Sequence, residues 1–333
     1  MRRSNDILFS EAAREWLEYA QAELKYSSIA RYTNILKLHL LPEFADVSIS
    51  EITRERVFQY RGKLLTGDGT SSPALSTKTI GLIFSVLRSI VSFSIEEKGC
   101  KGANLGSITI RQQYKPLRVF SLQEQQQLNQ YLTENLSFPN IGMLLALYTG
   151  MRIGELCALR WKDLDLDGWS IHVRKTMQRV QTFQEDKKTH VIITDPKSIA
   201  SIRQIPIPDF LHKLLTAAQQ KPDCFLLTGE IERHMEPRSL EYQFSKAMKA
   251  CDIRGATFHT LRHTFATRCI EQGFDVKTLS EILGHANVTI TMNRYVHPTL
   301  EFKRENMNKL SSLIDESLLF SQYMRLCEKA GFF

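Results

Sequence analysis

The stretch 283–298, LGHANVTITMNRYVHP, decides how the rest of the chain is read. It sets His285, Arg294, Tyr295 and His297 beside small and β-branched residues near the end of a basic chain. Tyr295 is either a packed aromatic or a nucleophile, and the two readings ask for different surroundings. A phenol has a pKa near ~10, so on the order of one part in a thousand is ionised at neutral pH. Nearby cations and a base make such a group usable as a nucleophile. For the second reading, the rest of the chain must supply them.

Working outward, Arg152 sits in TGMRIGEL, Lys197 in TDPKSIASIRQIPI, His259 and Arg262 in HTLRH, and His285 in LGH. Each alone has an ordinary reading. Arg152 with Glu155 fits an i, i+3 surface ion pair. Lys197 fits a solvated hairpin lysine. His259 and His263 lie one helical turn apart and could pack or bind a metal. The set says more. A phosphodiester under attack gains charge on its non-bridging oxygens, and planar guanidinium groups match those oxygens in pairs. Two arginines with histidine donors form an anion clamp that needs no metal. A leaving sugar oxygen needs a proton, which a hairpin lysine can deliver. The chain has no GxxxxGK[ST], no GxGxxG after a strand, no HExxH and no GxSxG, so nucleotide-cradling, zincin and serine-hydrolase chemistry are set aside.

The bulk numbers agree with a polyanionic partner. The 333 residues are a soft prior for two domains, and 43% hydrophobic with 24% charged residues is globular. Lys plus Arg number 43 against 36 Asp plus Glu, a net charge of +7. A basic balance favours nucleic acid, although a merely basic enzyme fits it too. The cysteines Cys100, Cys157, Cys224, Cys251, Cys269 and Cys327 are scattered without a CxxC pair, as expected of reduced thiols in the cytoplasm. The first residues, MRRSNDILFSEAARE, hold too short an apolar run for a signal peptide, and IGMLLALYTGM is too short to span a bilayer. The expectation is a soluble, non-exported protein with no membrane partner.

Pattern reading predicts a mainly α fold with a small antiparallel β-sheet (α+β). In the first hundred residues, SEAAREWLEYAQAEL opens with a serine cap, and SSIARYTNILKLHLLPEF has helical spacing and stops around Pro42. TRERVFQYRGKLL is a third helix, interrupted late by Gly62. A long helix follows Ser76 with the stripe Ile80, Ile83, Phe84, Leu87, Ile90 and Val91. Lys78 and Arg88 on its other face are candidate phosphate contacts, or an ordinary solvated face. From Lys98 to Gln123 the chain has no acidic residue but carries Lys98, Lys101, Arg111, Lys115 and Arg118. That segment reads as an interdomain linker, suited to lie along a phosphate backbone or simply solvated. Beyond it come a capped helix at Ser121, the helix ending at Gly150, and three strands in WSIHVRKT, THVIIT and SIRQIPI. Helices then return, and the closing segment places Leu310, Leu313, Ile314 and Leu318 along one face. The domain boundaries expected are 1–105, a linker at 106–120, 121–305 and a helical tail at 306–333.

TGMRIGEL, PKSIASIRQIPIP, HTLRHTFAT and LGHANVTITMNRYVHP, in this order, resemble the tyrosine recombinases of the phage-integrase type. The resemblance covers the second domain and extends more weakly to the first, which looks like the family's helical core-binding (SAM-like) domain. It implies a site-specific recombinase or integrase that needs no cofactor, metal or ATP. By the match, Tyr295 is the nucleophile that forms a 3′-phosphotyrosyl link. Arg152 and Arg262 hold the phosphate and Lys197, rather than the alternative Lys188, is the general acid. His259 binds the phosphate and takes the tyrosine proton, His285 is a further phosphate donor, and Glu155 steadies the arginines. His263 lies outside the family set and is read as packing. The implied partners are double-stranded DNA at recombination sites, further copies forming a tetramer on two sites, and accessory directionality or DNA-bending proteins. The place of action is the cytoplasm, at the nucleoid. The tail after Tyr295 is expected to dock on a neighbouring protomer, with folding back on its own domain as the alternative. A layout that begins almost directly with core-binding helices is closer to invertases, resolvases and dimer-resolution recombinases than to arm-binding integrases. Competing readings are a catalytically silent DNA-binding regulator of this fold, a type IB-like topoisomerase, and a metal hydrolase using His259, His263 and His285.

Overall fold

The computed structural model describes residues 6–67, 74–102, 105, 117–181, 189–196, 199–296, 303–304 and 307–329. The chain divides into two compact units, Met1–Pro116 with Gln178–Ile192, and Leu117–Met177 with Ile193–Phe333.

The helices of the first unit are α1 (Phe9–Glu23), α2 (Tyr26–Ile35), α3 (Leu41–Phe44), α4 (Arg54–Thr66) and α5 (Thr77–Lys98). Helix α5 is the core element. The Ser76 hydroxyl accepts from the Thr79 N–H at its start, and Gly99 ends it in the left-handed conformation. Its stripe of Ile80, Ile83, Phe84, Leu87, Ile90 and Val91 is buried. Phe9, Trp16, Leu40, Phe44 and Tyr60 pack in the same core. The Phe44 and Tyr60 rings meet edge to face at 5.2 Å, and the Tyr60 hydroxyl donates to the His39 carbonyl. Over its 22 residues α5 is long and apolar enough to cross a membrane, but its apolar stripe faces this core.

Three local expectations change here. Helix α1 begins at Phe9 after Leu8, with no side-chain cap, so Ser10 lies inside it. Pro42 does not end the second helix. A π-helical turn (Leu36–Leu40) carries the chain into α3, where Pro42 takes a first-turn position that needs no N–H donor. Gly62 does not interrupt α4, which runs on to Thr66.

The first helix of the second unit is capped by Ser121, whose side chain accepts from the Glu124 N–H while Glu124 accepts from the Ser121 N–H. Helix α6 (Leu122–Glu134) leads to α7 (Phe138–Thr149), an almost wholly buried helix, and then to the short α8 (Ile153–Ala158). Strands β1 (Leu164–Asp165), β2 (Ser170–Val173) and β5 (Arg203–Pro206) form an antiparallel sheet in the order β1-β2-β5, with Ile171 opposite Ile205 and Val173 opposite Arg203. Strands β3 (Thr176–Gln181) and β4 (Thr189–Thr194) form a separate two-stranded sheet, most of whose residues fall within the Gln178–Ile192 segment of the first unit. The expected single strand WSIHVRKT is thus split between two sheets. Helices α9 (Asp209–Ala218), α10 (Pro237–Ala250), α11 (Phe258–Glu271), α12 (Val276–Leu283) and α13 (Val288–Tyr295) complete the unit's packed part. The closing segment is not one helix: a 3₁₀ turn (Lys309–Leu313) precedes a helix (Glu316–Lys329), and Leu310, Leu313, Ile314 and Leu318 are all exposed.

Leu87 is fully buried in α5. Leu87→Ala should destabilise the first unit by ~2–5 kcal/mol through lost burial and the cavity left behind, read as a lower urea midpoint.

Candidate active site

Two helix ends build the site. Helix α7 stops at Gly150, whose φ of +66° suits glycine; a Cβ there would also lie 2.6 Å from the Phe265 ring and 2.7 Å from the Leu283 side chain. Helix α12 stops at Gly284 with φ +64°. The carbonyls at such ends lack helical partners and carry the negative end of the helix dipole. Arginines take them up. Arg262, on α11 and only 2% exposed, donates through Nη1 to the Gly150 carbonyl at 2.7 Å and through Nη2 to the Leu283 carbonyl at 2.8 Å. Arg152 donates through Nη2 to the Gly284 carbonyl at 3.1 Å.

Arg262 Nη2 also lies 2.9 Å from His285 Nε2, and His285 Nδ1 lies 2.8 Å from Thr291 Oγ1. Arginine can only donate, so His285 Nε2 accepts and Nδ1 bears the hydrogen given to Thr291. Burial and then the charges of Arg262, Arg152, Arg294 and Arg203 push the His285 pKa down to about 3. The ring is neutral at pH 7, as this pattern requires.

Glu155 is the carboxylate at the centre of the cluster and is 3% exposed. It accepts from the Arg152 backbone N–H at 2.9 Å and Arg152 Nη1 at 2.8 Å. Arg203 grips it with Nη1 at 3.0 Å and Nη2 at 2.9 Å, and donates through Nε to the Ile282 carbonyl at 2.6 Å. Burial raises the Glu155 pKa, but the hydrogen bonds and charge of Arg203, then Arg152, prevail and hold it at about 2. Glu155 thus fixes Arg152, and Arg203 fixes Glu155 to the end of α12.

Tyr295 closes α13 and is 6% exposed. Its hydroxyl lies 3.0 Å from His263 Nδ1, and its ring is parallel to that of His285 at 6.4 Å. Burial raises its pKa, with Arg262 and Arg294 pulling the other way. His259 and His263 meet edge to face at 4.4 Å, and His259 is the more exposed. Partial burial and neighbouring positive charge lower both to about 4. The arrangement therefore presents one phenol and three neutral imidazoles among Arg152, Arg203, Arg262 and Arg294. Such a cluster binds an oxyanion and stabilises charge developing on it. The apolar cavity of about 570 Å³ lined by Phe138, Ile141, Leu214, Leu227 and Met235 contains none of these groups. Among the described residues no group of three or more His, Cys, Asp or Glu side chains could hold a metal ion.

The structure brings Arg152, Glu155, His259, Arg262, His285 and Tyr295 into one region, linked through the contacts above. Lys197 and Lys188 lie outside the described residues, as do Arg111 and Lys115. On the first unit Lys78, Arg88 and Lys101 are exposed, whereas Lys98 pairs with Glu15 at 2.9 Å. Arg118 is bound to Glu124 and donates to the Val119 carbonyl, so it helps hold the start of α6. Two participants were not singled out by their motifs. Arg203 had a signal: it shares strand parity with the buried Ile205 and Ile207, and an arginine on a buried face needs a carboxylate. His263, read from sequence as packing, is instead a hydrogen-bond partner of Tyr295.

Residues 118–301 match the phage integrase family, and residues 8–65 match the phage integrase N-terminal SAM-like domain. The chain belongs to the phage integrase family and is a site-specific tyrosine recombinase. It is 25% identical to a tyrosine recombinase XerC-like protein of Caldanaerobacter subterraneus subsp. tengcongensis, over 92% of this chain and 84% of that one. In fold it is similar to the Tn1549 transposon integrase in complex with a circular intermediate DNA, with a TM-score of 0.74, 19% identity, and coverage of 91% of this chain and 99% of that one. It is also similar to a lambda integrase tetramer bound to a Holliday junction, with a TM-score of 0.61, 19% identity, and coverage of 85% and 79%.

Arg203 and Glu155 are both buried, with side chains 6% and 3% exposed. Arg203→Met should cost ~3–5 kcal/mol, because it leaves a buried carboxylate without its main partner; urea denaturation at neutral pH reads this. The Glu155 pKa lies below its ordinary 4.5, so the stability it contributes is complete above about pH 4.5 and is lost as the pH falls towards about 2. In Arg203→Met that loss should begin at higher pH, seen in denaturation series from pH 7 to 3.

Proposed function

We propose that Tyr295 attacks a phosphodiester of a recombination site in double-stranded DNA, forming a 3′-phosphotyrosyl intermediate and freeing a 5′-hydroxyl. The observation that carries this reading is the buried Tyr295 hydroxyl set beside Arg262 and Arg294, in a cluster where arginines outnumber the carboxylate Glu155. Arg262 and Arg152 hold the non-bridging oxygens. His285 and His259 hydrogen-bond the phosphate. Lys197 protonates the leaving 5′ oxygen. Glu155, gripped by Arg203, steadies Arg152. The phosphotyrosyl ester keeps the energy of the broken bond, so a 5′-hydroxyl from the exchanged strand can reseal it without ATP. The cations supply the charge stabilisation, and the scheme uses no metal.

Strand exchange between two sites requires several copies, and we assign this chain to a tetramer on two DNA sites, working at the nucleoid in the cytoplasm. The closing segment favours this assembly. Its Leu313, Leu318, Phe320 and Tyr323 are exposed, an apolar face that a neighbouring protomer would cover.

Covalent trapping tests the chemistry. In EDTA, with nicked duplexes from DNA flanking its own gene, the wild-type protein should give a band that survives denaturing electrophoresis, and Tyr295→Phe should not. Arg262→Ala should slow adduct formation by roughly 10²–10³-fold, the range for losing one donor to a developing oxyanion. A demonstrated binding site that yields no adduct would favour the silent regulator, and relaxation of supercoils without exchange would favour a topoisomerase. For the assembly, removing residues 306–333 should leave a folded monomer that no longer oligomerises on DNA; global unfolding would instead show that the tail packs on its own domain.

A further inference from the structure

The nucleophile must lose its proton as it attacks, and the structure supplies an acceptor that the motif reading passed over. His263 Nδ1 lies 3.0 Å from the Tyr295 hydroxyl, within the range for direct proton transfer. Both groups are buried, at 8% and 6% exposure, and the ring centroids are 5.7 Å apart. His263 follows His259 by one turn of α11, and the two rings meet edge to face. His259 is the more exposed of the pair, placed to meet a ligand arriving from solvent. The charged and titratable groups acting on His263 are His259 and Arg262 from its own helix, and Arg294 with Tyr295 from α13. Burial first, and then the positive charge of these neighbours, disfavour the imidazolium, so the ring is neutral and free to accept at pH 7.

We propose that His263, rather than His259, takes the proton of Tyr295, and that His259 serves the phosphate alone. The inference rests on Tyr295 being the nucleophile. As the bond from Tyr295 Oη to phosphorus forms, the hydroxyl proton passes to His263 Nδ1 and leaves an imidazolium. The bond from phosphorus to the 5′ oxygen breaks, and that oxygen takes its proton from the Lys197 ammonium. On resealing, the attacking 5′-hydroxyl returns a proton to the Lys197 amine, and the His263 imidazolium returns one to the departing phenolate. No proton is gained or lost over the cycle. A bound phosphate favours the scheme, since its negative charge offsets Arg262 and Arg294 and makes His263 more basic when an acceptor is needed.

The test compares two leaving groups. An ordinary nicked duplex needs a general acid, whereas a duplex with a 5′-bridging phosphorothiolate releases a thiolate that needs none. With the thiolate substrate, activation of Tyr295 is isolated from Lys197. Adduct formation is timed from pH 6 to 9.5 for the wild type, H263N, H263Q, H259Q and Y295F, with DNA affinity measured alongside. H263N and H263Q should keep the wild-type affinity and lose about a hundredfold or more in rate at pH 7 on both substrates, the scale of a lost general base. Their deficit should narrow as the pH rises and the phenol ionises unaided. H259Q should weaken binding or rate while keeping the wild-type pH dependence. Near-normal rates in either amide variant overturn the proposal, as does a pH-dependent deficit confined to H259Q. A deficit in both amide variants that does not change with pH assigns His263 a packing role and also overturns it. Failure of the underlying reading looks different: Y295F would still form the adduct, or the wild type would form none on a substrate it binds.

Discussion

The hold of two main-chain carbonyls on the Arg262 guanidinium is the constraint on which the site depends. Burying a cation is costly unless its donors are satisfied. Here the carbonyls of Gly150 and Leu283 accept from it at helix ends that would otherwise have unpaired oxygens. Each side completes the other, and α7, α11 and α12 converge at one point. The carbonyls satisfy the hydrogen bonds but do not neutralise the charge. Glu155, the nearby carboxylate, is already shared between Arg152 and Arg203. The folded protein thus carries a local excess of positive charge, fixed in place before any ligand arrives. That is the arrangement by which an oxyanion is stabilised without reorganisation at the moment of reaction.

Burial and the same excess together set the state of the remaining groups. Burial is the larger reason that His259, His263 and His285 are neutral, and the excess positive charge adds to it. Neutrality lets His285 accept from Arg262 and lets His263 stand next to the Tyr295 hydroxyl. Tyr295 stays protonated because burial outweighs the pull of Arg262 and Arg294. The free protein therefore holds its phenol in reserve. An anion bound among the arginines would change the balance at every imidazole at once, coupling occupancy of the site to its acid–base chemistry.

How much of this could be read in advance depended on the range of the interaction. Patterns local to one element were legible: the stripe from Ile80 to Val91, the Ser121–Glu124 cap and the turn at Gly150. Local rules misled where packing overrode them. Pro42 fits a first helical turn because the π-helical turn before it keeps the chain helical, and Gly62 continues α4 since a solvated helical glycine costs only about 1 kcal/mol. The candidate residues Arg152, Arg262, His285 and Tyr295 were found because their motifs sit together in a known order. The roles of Arg203 and His263 depend on partners 48 and 32 residues away in sequence, and only the folded chain brings those partners close.

Main-chain acceptors have one more consequence, for how far such a sequence can drift. A carbonyl oxygen is present whatever side chain its residue bears. Substitution at Leu283 can alter packing but cannot remove the acceptor that holds Arg262. The demands fall instead on a few backbone turns, above all Gly150, where a side chain would collide with Phe265 and Leu283. A side chain at a position such as Leu283 can change while the hydrogen bond from Arg262 to its carbonyl remains possible. A fold shared at 19% identity with the Tn1549 integrase is what that freedom permits.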